Sequence, residues 1–332
     1  MAEWLYETGI GEARAALVDG GVIVECHVEA DTPALRVGQV VAVRLVEKQA
    51  DATRGIVRSV VGNHEALLDR LTGIDMGRSF TVMVTREAIH EPRAVKRAKV
   101  RASAPDVAET AAPTLYDRIT ATGTPVTALP PHGPDRLEVA GWTETLEEAA
   151  TGEVRFPGGA LRISLTPAMT LIDIDGELAP GPLALAGAQA AGAAIRRLGI
   201  TGSIGVDFPT ISGKADRLAI AAVVDATLPP IFERTAVNGF GFLQIIRPRL
   251  RASLCEQFRY DAAASHARAL LRRVQRSGLI GVVQIVAHPE IIAVLQANLD
   301  WLDNLSAHLG GAITLHADPA LARSAGYATK TR

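Results

Sequence analysis

The sequence predicts a mixed β and α/β protein, on three observations. Short apolar runs bounded by turn residues crowd the N-terminal third of the chain. From residue 157 onward such runs alternate with helical patterns, the first of them rich in alanine. The composition is that of a folded chain: 332 residues, 48% hydrophobic and 21% charged, carry enough apolar side chain for two or three cores.

Taken in order, residues 4–6, 13–18 and 22–28 alternate as strands, and Asp19-Gly20-Gly21 turns the second into the third within an N-terminal region 1–34. Between 35 and 101 come five more short runs, 40–45, 55–61, 65–71, 79–85 and 95–101. Five short strands in so little chain point to a shortened barrel of the OB type. Residues 102–156, rich in Ala, Pro, Thr and Gly with weak helical patterns at 114–122 and 143–150, read as a connector with little core of its own.

Pro157-Gly158-Gly159 punctuates a return to strands, 160–165 and 169–175, around a turn at Thr166-Pro167. A helix at 183–198 closed by Gly199, a strand at 203–208, a helix at 215–226 and a strand at 241–246 complete an α/β domain over 157–252. A long helix at 256–277, a strand at 281–287, a helix at 289–309 ended by Gly310-Gly311 and a last strand at 312–317 make a small C-terminal α/β lobe over 253–332.

Several function classes fall away. No stretch approaches the roughly 20 apolar residues of a membrane span, and the first residues lack the basic flank and apolar run of a signal peptide, so a cytoplasmic protein without a membrane partner is expected. Cys26 and Cys255 are too few for a disulfide framework or a four-cysteine zinc site and read as reduced, buried thiols. The eight histidines show no metal-ligand spacing. With a net charge of −2, any polyanion must be met by local patches.

The carboxylates are more informative. In Thr170-Leu171-Ile172-Asp173-Ile174-Asp175 the two-residue strand period puts both isoleucines on one face and both aspartates on the other. Residues 203–208 repeat the pattern: Ile204, Val206 and Phe208 share a face, and Asp207 stands opposite beside the small Ser203 and Gly205, which leave room for a ligand. Two strands presenting carboxylates at their carboxyl ends supply the oxygen ligands of a hard cation such as Mg²⁺. The alternative is a hairpin turn at Asp175-Gly176 and a loop cap at Asp207.

At this point the motifs resemble a known family. Residues 168–176 (A-M-T-L-I-D-I-D-G) are similar to the T-A-I-D-V-N-S-G segment of the ribonuclease E/G family, and residues 202–208 (G-S-I-G-V-D-F) to its G-G-I-I-V-I-D-F. Residues 239–251 (G-F-G-F-L-Q-I-I-R-P-R-L-R) resemble its F-G-L-x-E-M-x-R-x-R-x-R, and residues 309–315 (L-G-G-A-I-T-L) its F-I-G-x-x-I-S-L. The order matches over most of residues 150–320 and is weaker over 3–101.

The resemblance implies a ribonuclease H-like scaffold with the OB-type barrel inserted near its N-terminus and a deoxyribonuclease I-like catalytic lobe. It implies a Mg²⁺-dependent endoribonuclease acting on single-stranded RNA in processing or decay, with Asp173 and Asp207 as metal ligands and Asp175 helping to position the metal. Departures from the pattern point to the alternative, a non-catalytic RNA-binding or regulatory homologue. Asp175 replaces the family's asparagine, and Thr210 replaces the second acid of its I-D-F-I-D-M. Where the family carries a pair of zinc-linking cysteines this chain has Cys255 alone, so any homo-oligomer is expected to form without a zinc link.

Three basic stripes are candidates for RNA contact, each with a solvated charged face as its alternative. Arg93, Lys96, Arg97, Lys99 and Arg101 lie together without an acidic residue among them. Arg247, Arg249 and Arg251 alternate on an extended segment, and Arg268, Arg272 and Arg276 stand at helical spacing. Aromatic residues are only 4% of the chain, and the barrel region offers Phe80 for stacking, so affinity should rest mainly on phosphate contacts.

The family's 5′-monophosphate sensor, an arginine-threonine pair and an arginine just before the F-G of the third motif, is not visible: residues 102–153 hold no adjacent Arg-Thr, and the position before Phe240 is Gly239. Losing two charge-assisted donors worth about 1.5–3 kcal/mol each removes about a hundredfold or more of end preference. Cutting or binding is therefore expected to be equal for one RNA carrying a 5′-monophosphate, 5′-triphosphate or 5′-hydroxyl, and for its circular form. A marked preference for the monophosphate would place a sensor elsewhere, with Arg118 and Arg136 the first residues to test.

Overall fold

The computed structural model describes residues 1–32, 34–49, 53–71, 73–104, 107–131 and 133–331. The alternating N-terminus forms the antiparallel meander that its period requires: β1 (Glu3–Thr8), β2 (Glu12–Asp19) and β3 (Val22–Ala30). Next come β4 (Val40–Lys48), β5 (Gly55–Ser59), β6 (Glu65–Leu68) and β7 (Ser79–Arg86). A small hairpin, β8 (Ile89–Glu91) with β9 (Ala94–Lys96), precedes β10 (Ala98–Ala102).

Strands β4, β5, β6, β7 and β10 form a closed barrel in the order β10-β6-β5-β4-β7. Closure comes from β10, which runs parallel to β6 on one side and antiparallel to β7 on the other. Every second residue points inward, so Val43, Leu45, Val57, Leu68, Val82 and Val100 fill the interior.

The stretch 102–156, read from composition as a connector, carries α1 (Leu115–Thr120), β11 (Val126–Ala128), α2 (Arg136–Val139) and α3 (Trp142–Thr151). It also carries core: β11 adds to the N-terminal sheet in parallel with β1, and Leu137, Trp142 and Thr145 are buried. A parallel pairing to a strand more than a hundred residues away leaves no local periodic signal, which is why composition alone hides it.

The α/β region follows the expected alternation in β13 (Gly159–Leu165), β14 (Thr170–Gly176), α4 (Pro180–Arg197), β15 (Gly202–Asp207), α5 (Lys214–Thr227) and β17 (Phe242–Arg247), and adds two strands not expected, β12 (Glu153–Phe156) from the end of the stretch read as a connector and β16 (Glu233–Arg234). The six strands make one sheet, β12-β13-β14-β15-β17-β16, in which β14 and β15 are parallel neighbours.

The helix expected over 256–277 is two, α6 (Leu254–Tyr260) and α7 (Ala262–Gln275), parted at Asp261. The helix expected over 289–309 is likewise α8 (Pro289–Ala297) and α9 (Leu299–Leu309), parted at Asn298, whose backbone is not helical. Asp and Asn compete with helical hydrogen bonding through their short polar side chains, and both breaks fall on them. β18 (Val283–Ala287) pairs in parallel with β19 (Ile313–Ala317) and antiparallel with β20 (Tyr327–Lys330), a strand with no strong apolar run to announce it.

By contacts the chain divides into two compact units. One combines Met1–Thr32, Ile119–Ala150 and Gln257–Arg332, and the other combines Pro33–Arg118 with Thr151–Glu256. Both cysteines are buried, as expected. No helix among the described residues is long and apolar enough to cross a membrane.

The arginine stripe of α7 corrects both readings offered for it, since it neither lines a groove nor faces water. Arg268 and Arg272 are only 2% and 4% exposed. Arg268 Nε donates to Glu12 Oε2 at 3.0 Å, Arg272 Nε to Glu7 Oε1 at 2.8 Å, and Arg276 Nε to Glu7 Oε2 at 2.8 Å. Arg14, fully buried, bridges the two carboxylates with 2.6 Å bonds to Glu12 Oε1 and Glu7 Oε1. Asp135, the N-cap of α2, takes a further 2.6 Å bond from Arg272. The Arg272 guanidinium lies 5.7 Å from the Trp142 ring centroid.

Burial alone would push the Glu7 carboxyl up, but Arg14, Arg272 and Arg276 together hold it below its ordinary value of 4.5. A carboxyl depressed in the folded state contributes stability that is complete above its unfolded value and is lost as pH falls through the folded one. Glu7→Gln leaves the buried guanidiniums one charge short and should cost about 3–5 kcal/mol near neutral pH. Urea midpoints should show a smaller difference as the pH falls below 4.5, where the unfolded chain's carboxyl takes up a proton before the folded one does.

Candidate functional site

The six-stranded sheet has two unlike faces. Leu161, Ile163, Ile172, Ile174, Ile204 and Val206 are buried, and α4 lies against β13 and β14. The opposite face carries Arg162, Asp173, Asp175 and Asp207, all exposed. The hairpin alternative is overturned, because Asp175 and Gly176 are the last residues of β14, paired with Ala160 and Gly159 of β13.

Register brings the aspartates together. In the parallel pair β14–β15, Asp173 is the direct partner of Asp207, the last residue of its strand. Directly opposed residues on adjacent strands sit about 5 Å apart on one face. Burial, then Asp175 and Asp207, raise the pKa of Asp173, with Arg162 opposing only in part. Arg162 is the register partner of Asp173 on β13, and its Nε lies 3.3 Å from Asp175 Oδ2 in an exposed ion pair.

The room expected beside Asp207 is filled. An added Cβ on Gly205 would stand 2.5 Å from Phe242 Cζ and 3.0 Å from Leu171 Cδ2, so the glycine is required by the Phe242 ring lying across it. Ser203 in turn accepts a 3.1 Å bond from Gln244 Nε2. Leu171 and Phe242 thus form an apolar shelf on the same face of the sheet, beside the acidic pair.

The donor set is of the kind a hard cation takes: oxygen ligands only, on an exposed face, with like charges that Arg162 offsets only in part. Among the described residues no group of three His, Cys, Asp or Glu side chains is arranged to hold a metal ion. Mg²⁺ commonly takes one or two carboxylates and completes its shell with water and substrate phosphate, so a pair is a sufficient protein contribution.

The basic residues of the barrel flank are less free than their run suggests. Lys96 pairs with Glu91 at 3.0 Å, Arg97 with Glu65 at 3.1 Å and Lys99 with Asp69 at 3.3 Å. Arg93 occupies the β8–β9 turn, and Arg101 is exposed on β10. Arg247 donates to the Ile200 carbonyl at 2.9 Å, Arg249 pairs with Glu256, and Arg251 Nε lies 3.0 Å from Glu87 Oε1. These three are half-buried on separate partners, not an open stripe.

Arg86, at the end of β7, was not singled out by sequence. The backbone N–H of Glu87 bonds the Leu250 carbonyl at 2.9 Å, which brings Arg86 beside Arg249. Burial and that neighbouring guanidinium push Arg86 below arginine's ordinary value. Such a pairing of cations is visible only once β7 and the segment after β17 are placed together. Phe80 packs partly buried against the barrel interior and is poorly placed to stack on a base.

The Gly205 geometry is directly testable. Gly205→Ala should destabilise the fold by about 1–3 kcal/mol through overpacking, and adding Phe242→Ala should return part of that loss in urea denaturation.

No family model matches the chain, and no curated protein matches it.

Proposed function

We propose that this protein is a Mg²⁺-dependent endoribonuclease that cleaves single-stranded RNA, a divergent relative of the ribonuclease E/G family. The observation that carries the reading is the register pairing of Asp173 with Asp207 on the uncovered face of the sheet. On this reading the two carboxylates hold the metal and Asp175, restrained by Arg162, helps orient it. A bound Mg²⁺ would lower the pKa of a coordinated water and stabilise charge on the phosphoryl oxygens.

The barrel supports an RNA partner. Its strand order, with the last strand parallel to the third and antiparallel to the fourth, is that of an OB-type barrel, a fold used to bind oligonucleotides. Arg93 and Arg101 supply exposed charge, and the Lys96, Arg97 and Lys99 ion pairs are exposed enough for phosphate to compete with them. The finer fold reading follows the same resemblance: a ribonuclease H-like scaffold in the unit holding both termini, and a deoxyribonuclease I-like lobe built on the six-stranded sheet.

One observation favours the second reading, a non-catalytic RNA-binding homologue. Arg162 faces Asp173 in register and pairs with Asp175, placing a cation among the carboxylates that a metal would otherwise neutralise.

Cleavage of an unstructured RNA with and without Mg²⁺ separates the two. Asp173→Asn and Asp207→Asn should each lower the Mg²⁺-dependent rate by about a hundredfold or more while leaving RNA affinity and the thermal melt near wild type. A wild-type protein that binds RNA without Mg²⁺-dependent cleavage would establish the second reading.

A further inference from the structure

Phe240 is 86% exposed, although the chain has few aromatic side chains and the three tryptophans are buried. It sits in the turn that leads into β17, and that turn is tightly held. Asn238 Oδ1 accepts from the backbone N–H of Phe240 at 2.9 Å and of Phe242 at 3.0 Å. The N–H of Asn238 donates to the Phe242 carbonyl at 3.0 Å. Gly241 adopts φ +90°, and a Cβ there would stand 2.4 Å from the Phe208 carbonyl oxygen.

The same turn is fastened to the acidic strand. The N–H of Phe208, the residue after Asp207, donates to the Gly241 carbonyl at 3.0 Å, and Asp207 opposes Phe242 in register. Phe240 is therefore two residues from Phe242, the position facing Asp207, a separation of at most about 7 Å. That is on the order of two stacked nucleotides of a strand. Its neighbours Gly239 and Gly241 carry no side chains, and a Cβ added at Gly239 would meet nothing within 4 Å. A rigid turn thus presents an aromatic ring with little beside it, next to the carboxylates.

We propose that Phe240 is a stacking platform for a nucleobase of the RNA strand lying across the acidic face, setting where that strand sits relative to Asp173 and Asp207. This rests on the RNA reading above and deepens it. Every base has a π-face, so the ring would hold RNA without strong sequence preference. It also supplies the aromatic contact that Phe80, packed into the barrel, does not.

The test uses the full chain with an unstructured 12-nucleotide RNA and an abasic oligomer of equal phosphate number. Phe240→Ala and Phe240→Leu should weaken binding of the RNA by about tenfold and leave the abasic affinity unchanged, while Phe240→Trp restores RNA binding. Because Trp4, Trp142 and Trp301 are buried, an added tryptophan at 240 reports separately, and its emission should be quenched by the RNA and not by the abasic oligomer.

Wild-type affinity in Phe240→Ala, or emission unchanged at saturating RNA, overturns the stacking role while leaving the RNA reading standing. A change in sedimentation on Phe240→Ala with RNA affinity intact would make the ring a protein contact and also overturns it. A wild-type chain that binds no RNA removes both readings together.

Discussion

The unit that holds both termini depends on a charge assembly its sequence scatters over most of the chain. Glu7 and Glu12 come from the first two strands, Asp135 from the cap of a short helix, Arg268 and Arg272 from α7, and Arg276 from its C-cap. Arg14 closes the set from within. Desolvating so many ions is costly, and the arrangement repays it because Glu7 and Glu12 each meet more than one guanidinium with short bonds and Asp135 meets Arg272 with one. No local hydrophobic run explains why residues 1–32, 119–150 and 257–332 fold together; this assembly, beside the apolar core under α7, supplies a specific reason.

In the other unit the governing constraint is register. Sliding β15 by one residue against β14 would turn Asp207 into the apolar face and Val206 out of it, so the burial of Ile172, Ile174, Ile204 and Val206 under the helices fixes the pairing of the acids opposite. The acidic face is thus a by-product of correct core packing on the other side. Phe242 over Gly205 and Gln244 on Ser203 then shape what lies beside it. The result is a carboxylate pair on an exposed face with an apolar shelf beside it.

Charge along the sequence proved a poor guide to charge in space. The run from Arg93 to Arg101 contains no acid, yet Glu65, Asp69 and Glu91 reach three of its side chains from neighbouring strands. The stripe of α7 and its C-cap has helical spacing suited to a groove, yet its arginines are buried and paired with Glu7 and Glu12. Conversely Arg86 sits among ordinary strand residues, and only the fold sets it against Arg249. Phe240 drew notice as a motif letter, but its exposure and the rigidity of its turn are properties of the β15–β17 pairing.

What the sequence by itself determined follows from local rules. The two-residue period over 170–175 and 203–208 assigns the aspartates to one face, because adjacent strand residues point oppositely whatever the fold. Glycine-bounded apolar runs mark the barrel strands, and the alanine-rich periodicity marks α4. The tertiary structure alone decided which strands are neighbours: that β14 lies beside β15, that β10 closes the barrel against both β6 and β7, and that β11 joins a sheet more than a hundred residues upstream. It also decided the helix breaks at Asp261 and Asn298 and the partner of each arginine. Strand order and ion pairing depend on burial summed over distant segments, and no single stretch of chain carries that sum.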